Sequence, residues 1–336
     1  MALKHVLLKN SRLKGWEYGM LRALEDEIIL QTKASVIEVP DYGMDRITSK
    51  FGHSMRWSAA RKLLPKKTFP VEADVLWYIL MGPENYELDL FKDWNITAKH
   101  RIVYIFDTLE SQFGLVKKLF SDNLFNIRIT SFNDAVSHLE RLTAKKWYTI
   151  EQAVPTSLFR LLPPEEKLIT FSAYGRRHPV FHNILSEFCE SNQLYYDFTT
   201  HSGAHPAAPE NQLYRQYAWH ITHSIFTVSW PVELTNSQRA GCLHPVTCRW
   251  FEAAASGTVI LGRKPGNLQF DQVLTPGLIT EINPLEKKTK LWRQLDNIFA
   301  NRYELMNKSA AIAEANFNRW SWTNRVLRML QLIAIA

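Results

Sequence analysis

The stretch CLHPVTCRWFEAAASGTVILG occupies residues 242–262. Arg249 and Glu252 stand three positions apart, which on a helix places them on one face. Thr247 precedes them as a natural N-cap. Ala253, Ala254, Ala255 and Ser256 keep the far end of that helix slim enough to lie close on a sheet. Gly257 suits the C′ position, and the following TVILG reads as a buried strand. A helix N-terminus carries unpaired N–H groups and the positive end of the dipole, so an arginine in its first turn makes an anion site. A carboxylate one turn later can accept from ribose hydroxyls. The plain alternative is a surface pair between Arg249 and Glu252, worth about 0.2–0.5 kcal/mol.

Outward from this stretch, the second half repeats a strand-then-helix rhythm. KLITFSA (167–173), LYYDFT (194–199), SIFTVSW (224–230) and LITEI (278–282) are strand-like, and HPVFHNILSEFCESN and PENQLYRQYAWHI are helical, the latter with Pro209 at a first helical position. A helical tail follows from about residue 284. The first half has the same rhythm: HVLL (5–8), SVIEV (35–39), ADVLWYIL (73–80), RIVYIF (101–106) and NIRIT alternate with WEYGMLRALEDEIILQ, a stretch around RWSAARKLL, LESQFGLVKKLF and NDAVSHLERL. Strand runs apolar on both faces and separated by helices predict parallel sheets covered on both sides. The expected fold is α/β, two Rossmann-like doubly wound domains facing a cleft. EQAVPTSLFRLLPPEEK (151–167), with three prolines and no clear period, is the predicted linker. The expected division is 1–155, 156–316 and a C-terminal helix, 317–336, packing back on the first domain.

A chain of 336 residues with 46% hydrophobic and 22% charged residues is neither disordered nor fibrous. Its formal charge of +7 suggests an acidic partner. The basic residues are spread in pairs, without the arm or block that would favour nucleic acid. Three cysteines without CxxC spacing indicate neither a disulfide framework nor a zinc site. MALKHVLLKN is too short for a signal peptide, and no window reaches transmembrane length, so a cytoplasmic protein is expected. VLRMLQLIAIA at the C-terminus reads as a packed helix, with a peripheral contact on an anionic inner membrane face as the second reading.

The strand-end rule directs the search for chemistry to the loops after strands. After LITFSA comes YGRRHP (174–179). Gly175 allows close backbone approach, Arg176 and Arg177 supply bidentate donors, and a helix starting near Pro179 presents free N–H groups. The loop suits a diphosphate, though solvated surface arginines would look the same. Asp107, after RIVYIF, is the best-placed carboxylate of the first half for a general base, or else an N-cap for the helix near Glu110 or a turn residue with Thr108. Glu17 is second choice, and His53 and His100 are isolated. Asp89 and Asp93, in ELDLFKD, read as helical surface carboxylates and not as a metal-binding pair.

At RWFEAAASGTVILG the chain resembles the RxFEALACGTPVI signature of the donor-binding domain in GT-B glycosyltransferases, in particular the CgeB-like subgroup. FNRWSWTNRVLRML (317–330) is similar to the helix that ends many of its members, and YGRR falls where such enzymes place basic residues on the diphosphate. The resemblance spans the second half; the first half agrees only in element order. It implies that Glu252 is the second glutamate of the Glu-x7-Glu motif and binds the donor ribose. His244 then stands where the first glutamate contacts the sugar, a departure from the pattern. Thr247 and Arg249 would face the diphosphate with Arg176 and Arg177 opposite, and Trp230, with Ser229 and Pro231, would line the nucleobase site or pack in the core. The implied reaction is hexosyl transfer from a UDP-, GDP- or other nucleotide sugar to an unidentified acceptor, independent of metal or resident cofactor. An inverting course needs a base such as Asp107; a retaining one does without and sets His244 against the transferred sugar. The alternatives are a nucleotide-sugar epimerase or hydrolase of GT-B type, and a non-catalytic binder of RNA or anionic glycan.

Overall fold

The computed structural model describes residues 3–10, 13, 15–39, 65–69, 72–95, 98–198 and 210–335. The helix expected around RWSAARKLL, Pro209 and His53 lie outside the described residues. Two compact units emerge. The first comprises Met1–Lys14, Leu21–Ile150 and Val326–Ala336, the second Gly15–Met20 and Glu151–Arg325.

In the first unit, β1 (His5–Lys9), β2 (Ser35–Glu38), β4 (Ala73–Leu80), β6 (Ala98–Ile105), β7 (Ile127–Thr130) and β8 (Tyr148–Thr149) form one sheet in the order β2-β1-β4-β6-β7-β8. Every neighbouring pair is parallel. β3 (Lys67–Thr68) and β5 (Phe91–Lys92) make a separate two-stranded ladder. The helix expected over ELDLFKD is instead one 3-10 turn, Leu88–Leu90, running into β5, with Asp93 at φ 59°. Leu88, Leu90 and Phe91 are buried there, so local apolar anchoring overrode the helical pattern. β4 shows why the sheet is covered on both faces: its last six residues, Val75 to Leu80, are all buried.

The second unit holds β9 (Ile169–Ala173), β10 (Tyr196–Phe198), β11 (Ser224–Ser229), β12 (Val259–Gly262) and β13 (Ile279–Glu281), all parallel, in the order β10-β9-β11-β12-β13. Strand order reverses between β9 and β11, so the switch-point crevice lies outside the carboxyl ends of those two strands. Phe171, Phe226, Val228 and Leu261 from the strands close the core with Phe181, Leu185 and Phe188 of the helix Pro179–Ser191 and Leu291 and Leu295 of the helix Lys288–Ala300.

The proline-bearing segment 151–167 begins where the two units divide, between Ile150 and Glu151, and it is anchored in the second. Ala153, Val154 and Phe159 are fully buried. Val154 N–H donates to the Trp320 carbonyl at 2.9 Å and its own carbonyl accepts from Trp322 N–H at 3.2 Å, so the segment is zipped to the C-terminal chain. Lys167 ends it inside the unit. Its Nζ donates to the carbonyls of Thr222 (2.6 Å) and Ser256 (3.0 Å) and to Thr258 Oγ1 (3.4 Å). Burial pushes this amine down to about 7. The unfolded chain therefore holds a proton that the folded chain releases between pH ~7 and ~10, so this lysine makes stability rise with pH across that window. Urea denaturation at pH 6, 8 and 9.5 is expected to show the parent gaining stability relative to Lys167→Met as pH rises; parallel curves would contradict it.

Among the described residues no helix is long and apolar enough to cross a membrane. The helix Trp322–Ile335 begins in the second unit, and its residues from Val326 onward group with the first.

Candidate functional site

The quoted stretch folds as its local chemistry dictates. The helix Cys248–Ala255 starts at Thr247, which sits at the N-cap with extended backbone (φ −92°, ψ 167°) but makes no capping bond through its hydroxyl. At the other end Gly257 takes φ +60°, its N–H donates to Ala254 O, and Thr258 N–H donates to Ala253 O. These two bonds form a Schellman closure that turns the chain directly into β12.

Arg249 reaches the end of β9. Gly175 there has φ +77°, and a Cβ added to it would overlap the Arg249 guanidinium. The arginine of the helix N-terminus and the glycine of the YGRR loop are thus in direct contact at the switch point. Arg176 and Arg177 are half-buried beside them. Arg177 stacks over the Phe198 ring at 5.1 Å and approaches His182 Nε2 at 3.5 Å, so the end of β10 supports it. His182 in turn is bonded through Nδ1 to Tyr196 OH at 2.8 Å.

Beneath the loop, Tyr174 OH donates to Asp197 Oδ2 at 2.6 Å, and His220 Nδ1 contacts the same oxygen. Burial pushes the Asp197 carboxyl up, but the bonds from His220 and Tyr174 outweigh it and hold Asp197 below the usual range. Tyr174 is tied on its ring side too, edge-on to Tyr217 at 5.4 Å.

A second loop cluster lies after β11 and β12. Glu233, in the one-turn helix Val232–Thr235, accepts from His244 Nδ1 and from Gly266 N–H, both at 3.0 Å. Asn267 Nδ2 donates to the His244 carbonyl at 3.0 Å.

The chain superposes on a glycosyltransferase from Rickettsia africae with a TM-score of 0.55 and 12% identity, covering 98% of both chains. It superposes on Anabaena HepE, solved with UDP and glucose, with a TM-score of 0.57 and 9% identity over 99% of each chain. The chain has the GT-B fold. A structure of trehalose-6-phosphate synthase, studied for glycosyl transfer with retention, aligns over 99% of each chain with a TM-score of 0.54 and 10% identity. No protein-family model and no curated protein sequence matches this chain.

Two of the expected site residues are buried. Trp230 is 3% exposed and packs edge-on against Phe181 at 5.2 Å, inside the core. It offers no face to a nucleobase, because the helix Pro179–Ser191 covers it. Glu252 is 2% exposed. Its Oε1 accepts from Tyr214 OH at 3.0 Å and its Oε2 from Tyr217 OH at 2.6 Å. The two bonds tie the helix Cys248–Ala255 to the helix that carries Tyr214 and Tyr217, so Glu252 braces the pair. Burial raises its carboxyl above the usual range, with the tyrosine bonds and the Arg249 charge working against that rise.

Phe159, from the segment expected to be a linker, packs against both tyrosines at 5.8 and 6.2 Å. Gly19, grouped with this unit, lies against the Tyr214 ring so closely that a Cβ there would overlap it. Sequence reading missed this brace, although Tyr214 and Tyr217 stand three apart on one helical face in NQLYRQYAWH. Removing the Tyr217 hydroxyl leaves a buried carboxylate oxygen without its donor, a cost of about 1–3 kcal/mol. Tyr217→Phe is expected to lower the urea midpoint, and by less at pH 5 than at pH 8, because protonating Glu252 removes the uncompensated charge. A deficit equal at both pH values would contradict it.

Asp107 belongs to the first unit, just beyond the carboxyl end of β6. It is half-buried and its N–H donates to the Met81 carbonyl at 2.7 Å. The N-cap of the following 3-10 turn Glu110–Gln112 is Leu109, so Asp107 does not cap it.

Proposed function

We propose that this chain is a glycosyltransferase that moves a hexosyl group from a nucleotide-diphosphate sugar to an unidentified acceptor. The observation that carries the reading is the contact of Arg249 with Gly175 at the point where strand order reverses. A bare glycine backbone, a guanidinium and the N–H groups of the helix Cys248–Ala255 meet there, which is the donor set a diphosphate needs. Arg176 and Arg177 add charge from the same loop. HepE, with its bound UDP and glucose, supports a nucleotide-sugar partner.

As the bond to the sugar lengthens, positive charge grows on the ring and negative charge on the departing diphosphate. Arginines and helix amides fixed in advance stabilise that charge without reorganising, and they do so without a metal. Glu252 serves this site indirectly by holding the start of the helix Cys248–Ala255 against Tyr214 and Tyr217. His244 contacts the transferred sugar. Asp107 is the general base of the first unit if the reaction inverts.

Thermal-shift measurements with UDP, GDP, ADP and TDP and with their glucose conjugates test the reading, followed by product detection with the donor that binds best. One nucleotide is expected to stabilise the protein saturably, with turnover unaffected by EDTA. No response to any nucleotide, or a response unchanged in Arg249→Ala, sinks the assignment.

A further inference from the structure

The Glu233 cluster does something that the diphosphate grip does not explain. Three separate loops converge on it: the one after β11 carrying Glu233, the one before the helix Cys248–Ala255 carrying His244, and the one after β12 carrying Gly266 and Asn267. Glu233 Oε1 takes two donors, His244 Nδ1 and Gly266 N–H, each at 3.0 Å. The imidazole lies flat enough on Gly266 that a Cβ there would come within 2.8 Å of Nδ1. Asn267 Nδ2 holds the His244 backbone from the other side at 3.0 Å. Ring, backbone and tautomer are therefore all constrained, while the His244 side chain stays 42% exposed.

A second observation separates this from a simple loop cross-link. Glu233 Oε2 is buried without a hydrogen-bond partner among the described residues. An unsatisfied buried oxygen is costly, so a loop tie alone does not account for Glu233. An acceptor held in that place suits a role in orienting the imidazole.

We propose that Glu233 is a positioning residue for His244. By accepting from Nδ1–H it fixes the tautomer, so that Nε2 is the atom the ring offers to a hydroxyl of the transferred sugar. The sequence has no carboxylate at position 244 itself. The pair divides the task, with the carboxylate on one loop orienting a ring on another. This rests on the donor-site reading above and adds to it which residue governs the sugar end.

The test separates the two ends of the donor. Parent, His244→Ala, Glu233→Ala and Glu233→Gln are titrated with UDP, GDP, ADP and TDP and with their glucose conjugates, and kcat and KM are measured with the donor that turns over. All variants are expected to bind the nucleoside diphosphate within twofold of the parent. His244→Ala and Glu233→Ala lose about tenfold in affinity for the nucleotide sugar and about a hundredfold in kcat. Glu233→Gln, whose amide oxygen can still accept from Nδ1–H and Gly266 N–H, recovers most of both. Equal losses for diphosphate and nucleotide sugar would overturn the proposal in favour of a structural tie, as would Glu233→Ala behaving like the parent. Should the parent bind no nucleotide at all, the donor site falls first and this inference with it.

Discussion

Gly175→Ala is expected to lower affinity for the donor nucleotide roughly 30-fold, about 2 kcal/mol. The loss comes chiefly through Arg249. A methyl group at Gly175 would occupy the space of the Arg249 guanidinium, and an arginine tip can swing away where backbone cannot. The guanidinium then leaves the helix N-terminus, and the charge-assisted bonds to phosphate go with it. Because φ at Gly175 is +77°, alanine also brings about 1–2 kcal/mol of backbone strain, visible as a lower melting temperature. Arg249→Ala produces the binding loss without the strain. The double variant is expected to bind no more weakly than either single one, since both remove one grip. Additive losses in that cycle, or unchanged binding in Gly175→Ala, would show that the two residues do not act together on the diphosphate.

The second large effect is on stability. Gly262 ends β12, paired with Ser229 of β11 on one side and Glu281 of β13 on the other. A Cβ at Gly262 would collide with the Ser229 carbonyl oxygen, and no flexible side chain is there to yield. Either β11 or β12 must move at its carboxyl end. Gly262→Ala is therefore expected to cost about 3 kcal/mol, within the range of overpacked cores. That corresponds to a fall in melting temperature of roughly 6–12 °C for a unit of this size. The loops carrying Trp230, Glu233 and Gly266 leave these same strand ends, so sugar-donor binding should weaken beyond what lost stability explains. A melting temperature within 2 °C of the parent, roughly the reach of an ordinary surface substitution, would refute the clash.

The elements around the site differ in how far sequence alone could take them. The helix Cys248–Ala255, its start at Thr247 and its closure at Gly257 were all legible, because capping and Schellman geometry depend on residues within one turn. The strands were legible for a similar reason: doubly buried runs such as ADVLWYIL need no partner to be recognised. The order within segment 151–167 was not legible, because it comes from bonds to Trp320 and Trp322, more than 150 positions away. Trp230 was undecidable for the same kind of reason. Whether an aromatic after a strand faces a ligand or the core depends on the helix that crosses it, here through Phe181.

By itself the sequence determined an α/β chain with parallel sheets and a helix that starts at Thr247 and closes at Gly257. Periodicity, caps and glycines act over distances of a few residues. Only the tertiary structure decided which side chains meet: Arg249 against Gly175, Tyr214 and Tyr217 on Glu252, Glu233 on His244. Each of those pairs is set by strand order and register. The bonds from Tyr214 and Tyr217 to Glu252 are likewise a matter of packing that no local pattern announces.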